Sequence, residues 1–219
     1  METDVKFCGL TRPEDARVGA ELEARYLGVV FADGPRRITA ERAVELFARA
    51  GDARRVAVFG AAEAGAIADT ATRAGVDVIQ LHGDPTPATV DAIRRQWRGR
   101  IWAVVRTAGE LPESTAALFS VADAVVLDAA VGGRLGGTGV TLPWAAVARA
   151  LDGFRGAAPL VLAGGLTPEN VGAAIAALAP DVVDVSSGVE AAPGVKDHDR
   201  MRRFADAVRR AGASGGAAG

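Results

Sequence analysis

The chain has 219 residues, of which 49% are hydrophobic and 24% charged, and its formal net charge is −2. This composition is typical of a globular protein. The slightly negative net charge does not favour polyanion binding, so no nucleic acid and no membrane is expected as a partner. The single cysteine excludes an intrachain disulfide and a structural zinc cluster. The acidic start does not resemble a signal peptide, and no run of 18 apolar residues occurs, which predicts a soluble cytoplasmic protein.

Short apolar runs alternate with longer amphipathic stretches along the chain. The runs are rich in Val, Ile and Leu and lack polar alternation, as expected of strands in a parallel sheet covered on both faces. They are Val5–Leu10, Gly28–Phe31, Arg55–Phe59, Val76–Leu81, Ile101–Arg106, Ala124–Asp128, Leu160–Ala163 and Val182–Ser186. Helix signals lie between them. Thr11, with Pro13 and Glu14, is typical of a capping box, and Thr39 opens the second helical segment.

Eight strand–helix units of about 27 residues each predict an α/β protein with a single (β/α)8 TIM barrel over residues 1–210. A doubly wound sheet is the alternative, but it normally has a glycine-rich turn after the first strand, and Cys8–Pro13 lacks one. Trp97 and Trp102 are expected to pack between helices and sheet. Residues 211–219 are small and bury little, which predicts a disordered tail.

Candidate catalytic residues lie where a TIM barrel places its active site, at the C-terminal ends of the strands. Lys6 and Cys8 are two residues apart and therefore point to the same face, either the lumen or the helix layer. An adjacent ammonium would lower the thiol pKa from about 8.5 towards neutrality, so Cys8 could act as a base or nucleophile. The alternative is a small buried hydrophobic residue.

Asp128 closes the sixth apolar run. A partly buried carboxyl there has a raised pKa and is a candidate general acid, while an N-cap or loop anchor is the alternative. Cys8 and Asp128 together would form an acid–base pair for a proton-shuttling reaction. The glycine-rich segment Gly132–Gly139 follows, and we interpret it as a mobile gate or, alternatively, as a plain connection.

The loops after the last two strands predict a phosphate site. Gly164 and Gly165 let the backbone approach a ligand closely. Ser187 and Gly188 precede a short segment before the final helix, which is the recurring arrangement for phosphate in barrels. Two ordinary turns are the alternative.

The remaining candidates are polar residues expected at the C-terminal end of the barrel, which we call the barrel mouth. His82 follows the fourth strand and could donate to a substrate or satisfy a loop carbonyl. Arg36 or its neighbour Arg37 could pair bidentately with a substrate carboxylate, unless both are solvated. With His82 and His198 as the only histidines, no metal site is predicted.

Taken together, the motifs closely resemble the phosphoribosylanthranilate isomerase family. They follow the family's order from Lys6 to Asp197, and they are specific as a set although some are weak singly. The motifs are Lys6–Thr11, Gly28–Phe31, Pro35–Arg36, Gln80–Asp84, Leu127–Asp128, Gly136–Gly139 with Trp144, Leu162–Val171, Asp184–Glu190 and Pro193–Asp197. Two departures are Gly34, where the family often has serine, and Arg37, where it usually has an apolar residue.

The resemblance implies an isomerase of tryptophan biosynthesis, of the aldose–ketose type. Such an enzyme converts N-(5-phosphoribosyl)anthranilate to 1-(o-carboxyphenylamino)-1-deoxyribulose 5-phosphate by an Amadori rearrangement, with no cofactor. It implies Asp128 as the acid that protonates the furanose ring oxygen and Cys8 as the base that removes the C2′ proton. We predict that Lys6 supports Cys8.

The resemblance also implies the binding residues. Arg36 would hold the anthranilate carboxylate, and Asp184 would contact the anthranilate side. Gly165, Ser187 and Gly188 would hold the phosphate through backbone groups. The expected partner is therefore a small phosphorylated substrate, with a monomer or a homodimer both left open.

Two other functions compete. A related aminoaldose–aminoketose isomerase of histidine biosynthesis uses the same mechanism but has an aspartate where this chain has Cys8. A non-catalytic barrel that binds a phosphorylated metabolite would be expected to lack the acid or the base, and both are present. A cysteine-dependent hydrolase would need a histidine beside the thiol and an oxyanion motif.

Overall fold

The computed structural model of the chain describes residues 3–129, 144–154 and 158–215. Within these ranges eight parallel strands pair in sequence order, and the last pairs with the first to close a barrel. The strands are β1 Asp4–Phe7, β2 Tyr26–Val30, β3 Arg54–Phe59, β4 Val78–Leu81, β5 Arg100–Thr107, β6 Ala124–Ala129, β7 Leu160–Ala163 and β8 Val182–Val185. Each overlaps one predicted apolar run, so the predicted TIM barrel is confirmed.

Helices follow the strands around the outside of the barrel. They are α1 Pro13–Glu21, α2 Ala40–Phe47, α3 Ala64–Arg73, α4 Pro87–Arg94, α5 Thr115–Val121, α6 Trp144–Leu151, α7 Val171–Leu178 and α8 His198–Gly215. Between β8 and α8 lie a 3-10 turn, Ser187–Val189, and an antiparallel hairpin of β9, Glu190–Ala192, and β10, Val195–Lys196. None of the helices in the described ranges is long and apolar enough to span a membrane.

Two separate apolar cores follow from the alternation of side chains along each strand. One set of strand residues packs with the helices, for example Phe7, Leu27 and Leu127. The other set contains strand residues alone, including Tyr26, Val126 and Trp102, and therefore fills the lumen. Trp102 was expected between helix and sheet. That expectation is wrong because Trp102 has the strand parity of the lumen, where its ring meets Tyr26 edge-on at 4.8 Å between centroids.

The helix starts confirm one predicted cap and correct another. The Thr39 hydroxyl accepts the backbone N–H of Arg42 at 3.2 Å and caps α2. At α1 the cap position is Arg12, whose side chain makes no cap, so the predicted capping box does not form. The hydroxyl of Thr11 instead donates to the carbonyl of Gly194 at 2.5 Å and ties the start of α1 to the β9–β10 hairpin.

The final helix runs past the boundary expected from composition. Residues 211–215 belong to α8, although the sequence predicted a tail from residue 211. Five arginines interspersed with apolar residues before Ala211 establish the amphipathic helix. Small residues, which carry little side-chain entropy cost in a helix, continue it. Residues 216–219 lie outside the described ranges.

Aspartates form a regular set at the N-terminal ends of the strands. Asp77, Asp123 and Asp181 each precede an even-numbered strand, β4, β6 or β8. Each accepts a backbone N–H from the preceding odd-numbered strand, at 2.7 to 2.8 Å. This face of the barrel thus uses carboxylates to satisfy strand ends.

Candidate active site

A buried ion pair lies where the barrel closes. Lys6 of β1 stands opposite Asp184 of β8 in register, and the Lys6 Nζ is 2.6 Å from Asp184 Oδ2. Both side chains are buried, and Asp184 Oδ1 accepts no hydrogen bond from any described residue. Burial disfavours the ammonium, but the Asp184 carboxylate and Cys8 together outweigh it and raise the pKa of Lys6. Lys6 is therefore charged and forms an ion pair with Asp184.

Cys8 follows β1 on the same face as Lys6 and is also buried. Gly28 of β2 provides its space, because a Cβ there would lie 3.2 Å from the Cys8 Sγ and 3.3 Å from the Lys6 Cε. Burial raises the pKa of the Cys8 thiol, and the Lys6 charge opposes this without reversing it. The prediction that Lys6 brings the thiol pKa of Cys8 below its ordinary value is wrong, because desolvation is the largest cause and the charge of Asp184 also raises this pKa.

Asp128 is the penultimate residue of β6, with β7 and β8 between this strand and β1 in the barrel order. Burial, reinforced by the charge of Asp184, raises its pKa to about 6. His82 Nε2 lies 3.4 Å from Asp128 Oδ2 without a hydrogen bond. Burial and the charge of Arg106 lower the pKa of His82, so its imidazole is neutral near pH 7. A carboxyl that retains its proton is suited to general-acid chemistry.

Arg36 and Arg37 diverge in the loop after β2. Arg37 is 61% exposed and pairs with Asp33 on the surface at 2.6 Å. Arg36 is 25% exposed and forms two bonds to Glu190, from Nε to Oε1 at 2.8 Å and from Nη2 to Oε2 at 2.6 Å. Of the two arginines, Arg36 is the one at the barrel mouth, beside Cys8.

Two functional-site neighbours were missed by the sequence reasoning. Glu190 and Lys196 are buried, and the Lys196 Nζ donates to Glu190 Oε1 at 2.9 Å and to the carbonyl of Ser186 at 3.0 Å. Burial lowers the pKa of Lys196, and the Glu190 carboxylate opposes the shift. The Pro193–Gly194 turn is the sequence signal that could have found this pair, since a hairpin there brings both residues opposite each other.

The predicted phosphate loops lie together after β7 and β8. Gly164 and Gly165 have φ values of 87° and 65°, which favour glycine. A Cβ on Gly188 would lie 1.9 Å from the Leu166 carbonyl oxygen, so this loop contact requires glycine. Among the described residues, nothing accepts from the backbone N–H groups of Gly165, Ser187 and Gly188. They are therefore free to donate to an anion.

The mouth thus combines a raised-pKa carboxyl, a thiol next to cations, a guanidinium and free amides. Within the described ranges no group of three or more potential metal ligands is found. The predicted gate Gly132–Gly139 lies outside those ranges. An acid and a base on separate strands, with anion-binding groups at two sides, can rearrange a small doubly anionic substrate.

Comparison with known proteins identifies relatives along nearly the whole chain. Residues 5–207 match the family model described as N-(5'phosphoribosyl)anthranilate (PRA) isomerase. An N-(5'-phosphoribosyl)anthranilate isomerase from Rubrobacter xylanophilus is 43% identical over 94% of this chain and 98% of its own. The crystal structure of phosphoribosyl anthranilate isomerase from Thermotoga maritima superposes with a TM-score of 0.84 at 33% identity, covering 95% of this chain and 99% of that one.

A further solved structure carries a ligand. It is a phosphoribosyl anthranilate isomerase in complex with reduced 1-(o-carboxyphenylamino)-1-deoxyribulose 5-phosphate, with a TM-score of 0.79 and 32% identity. The match covers 95% of this chain and 99% of that one.

Proposed function

Because the chain belongs to the N-(5'-phosphoribosyl)anthranilate isomerase family, we propose that Asp128 and Cys8 are the acid and the base of its reaction. The enzyme is an isomerase of tryptophan biosynthesis. It converts N-(5'-phosphoribosyl)anthranilate to 1-(o-carboxyphenylamino)-1-deoxyribulose 5-phosphate. The sugar C1′ is reduced while C2′ is oxidised, so the redox change balances within the substrate.

Asp128 starts the reaction by donating its proton to the furanose ring oxygen. The bond from that oxygen to C1′ breaks, and the nitrogen lone pair of the anthranilate forms a Schiff-base cation. The observation that carries this role is the position of the Asp128 carboxyl, largely buried near the C-terminal end of β6, where burial raises its pKa to about 6. At pH 7 about a tenth of such carboxyls hold a proton, against roughly one in a thousand at the ordinary pKa.

Cys8 completes the rearrangement as a thiolate that removes the C2′ proton. The electron pair of that C–H bond forms the enolamine, which tautomerises to the ketone. Burial alone would leave Cys8 protonated, and the positive charges of Lys6 and Lys196 favour the thiolate. Lys6 thus supports the base by limiting the upward shift in the pKa of Cys8.

The remaining mouth residues bind the two anionic ends of the substrate. Arg36 would hold the anthranilate carboxylate, and the unpaired Asp184 Oδ1 would contact the anthranilate side. His82 would donate to the substrate. The backbone at four residues would hold the phosphate: Gly164, Gly165, Ser187 and Gly188. A cytoplasmic location and a monomeric or homodimeric state stay predictions.

Turnover of freshly generated N-(5'-phosphoribosyl)anthranilate, followed by loss of fluorescence, tests the acid and the base. Cys8→Ala and Asp128→Asn should each lower kcat by about 10² to 10⁴, the usual contribution of one acid–base group. Asp33→Asn, which removes an exposed carboxylate at the same mouth, is the matched control and should keep kcat within about twofold. A Cys8→Ala variant with near wild-type turnover would contradict the assignment of the base.

The pH profile of the same proteins assigns each group. Because the pKa of the acid lies below that of the base, kcat/KM should rise up to about pH 6 and then level. Above about pH 6 each gain in thiolate is offset by loss of the Asp128 proton. In Asp128→Asn the break near pH 6 should vanish, and its persistence would assign that break to another group.

A further inference from the structure

We propose that Glu190 and Lys196 are positioning residues that make Arg36 a receptor for the substrate carboxylate. Both belong to the β9–β10 hairpin and act on the substrate carboxylate through Arg36. The inference rests on the proposed role of Arg36. It adds that the hairpin supplies the orientation and the net charge on which that role depends.

The orientation follows from the donors of the guanidinium. An arginine has five N–H donors in a planar fork. Glu190 accepts from Nε and Nη2 at 2.8 and 2.6 Å, which uses one edge of the fork. The opposite edge, formed by Nη1 and the second Nη2 hydrogen, is left for a second bidentate carboxylate. Glu190 therefore fixes which edge faces the mouth.

The lack of a side chain at Gly9 allows Arg36 to lie next to Cys8. A Cβ at Gly9 would lie 2.5 Å from the Arg36 Cδ and 2.8 Å from the Ser186 Oγ. Only glycine leaves room for the arginine stem to cross the backbone here, and the φ of Gly9, 70°, also favours glycine. The guanidinium is thus held next to the residue proposed as the base.

The net charge depends on Lys196. Arg36 and Glu190 alone form a neutral pair, which attracts a further carboxylate weakly. Lys196 is buried and lies 2.9 Å from Glu190 Oε1, so the group of three carries a net charge of +1. Buried charges are screened less than exposed ones, which makes this excess charge effective at the mouth.

Contacts within and around the β9–β10 hairpin fix Glu190 in place. Gly194, at the turn, donates its N–H to Glu190 Oε1 at 3.3 Å and accepts from Thr11 at 2.5 Å. Arg200 Nη1 donates to the Glu190 carbonyl at 2.6 Å. Such supports leave Glu190 little freedom, as required of a residue that fixes another side chain.

The test compares two ligands that differ only in the carboxylate. One is the reduced product, 1-(o-carboxyphenylamino)-1-deoxyribitol 5-phosphate, and the other is its phenylamino analogue without the carboxylate. The ratio of their Kd values, from calorimetry, measures the preference for the carboxylate. Lys196→Met should shrink this ratio about tenfold and raise KM more than it lowers kcat, as expected when a ligand charge loses its counter-charge.

Glu190→Gln separates orientation from charge. This variant raises the net charge of the group but offers one acceptor oxygen to Arg36 instead of two. The ratio should again fall, and a ratio that rises would overturn the orienting role. Arg202→Met, which removes an exposed cation of α8, is the control and should leave the ratio unchanged within about twofold.

The outcomes distinguish this inference from the proposed function. A wild type without any preference for the carboxylate would overturn the role of Arg36. A wild type that prefers it, with Lys196→Met showing the same preference, would overturn the inference alone. Equal weakening of both ligands would mean a structural role and also overturns it. If Lys196→Met does not fold by circular dichroism, Lys196→Gln makes the same charge change while keeping a donor for Ser186.

Discussion

The two ends of the barrel use the same side chain in opposite ways. At the N-terminal end, Asp77 accepts three hydrogen bonds from Arg55, through its backbone N–H and its guanidinium, at 2.8 to 3.1 Å. Burial disfavours the charged form of Asp77, but these bonds outweigh it and lower its pKa. At the C-terminal end, Asp128 accepts no hydrogen bond from any residue in the described ranges, and burial raises its pKa to about 6.

This contrast shows how one barrel separates stability from catalysis. A carboxylate with satisfied oxygens stabilises the folded state at neutral pH, whereas one without donors destabilises it once ionised. The carboxylate without donors is found at the C-terminal end, where the active site of a barrel lies. Substitutions of Asp77 and Asp128 should therefore affect stability in opposite directions.

The largest effect on stability is expected for Asp128→Asn. The folded-state pKa of Asp128 lies above the unfolded value near 3.8. The contribution of this carboxyl to folding stability is therefore complete below about pH 4 and is lost as pH rises through about 6. Relative to wild type, Asp128→Asn should gain up to about 3 kcal/mol at pH 8. Urea unfolding at about pH 5 and pH 8 measures the gain.

The sign of the change in unfolding free energy at pH 8, and its dependence on pH, test this prediction. The gain should be smaller at about pH 5 than at pH 8, while turnover is lost at both. A variant that is less stable than wild type at pH 8 would show that Asp128 has partners that offset its burial.

The next effect, of opposite sign, is expected at Asp77. Asp77→Ala leaves the backbone N–H of Arg55 without its acceptor and should cost about 2 kcal/mol of unfolding free energy. Turnover should stay within about twofold of wild type. Asp77→Asn, which keeps an oxygen for that N–H, should recover part of the loss. If Asp77→Ala abolishes turnover in a folded protein, the two ends are not separable.

The smallest effect tests whether the C-terminal end also contains purely structural residues. Thr39 caps α2 at that end, and Thr39→Ala should cost about 1 kcal/mol. The kinetics should be unchanged, and Thr39→Ser should restore the melting temperature. A drop in kcat for Thr39→Ala without a change in melting temperature would refute the structural assignment.

Sequence reasoning placed the strands well because both sheet faces are covered, so apolar runs and strands coincide. It also placed Cys8, Asp128 and Asp184, since polar residues that close such runs lie at one end of the barrel. Their roles stay predictions. The pKa of Cys8 could not be predicted this way, because it depends on how far Lys6 is engaged elsewhere, and Asp184 is 178 residues away.

The Arg36–Glu190–Lys196 group was missed for a related reason. Local spacing could indicate the hairpin that pairs Glu190 with Lys196, but Arg36 is 154 residues from Glu190. Two adjacent arginines, Arg36 and Arg37, look equivalent in the sequence. Only the loop conformation after β2 directs one to the mouth and the other to solvent.

The ion pair where β1 meets β8 has a consequence for synthesis of the chain on the ribosome. Lys6 is translated 178 residues before Asp184, and Glu190 and Lys196 follow later still. Closing a loop of this length costs entropy that only the assembled barrel repays. A nascent chain therefore holds the Cys8 thiol without these neighbours, and we expect catalytic competence to arrive with barrel closure as a single step.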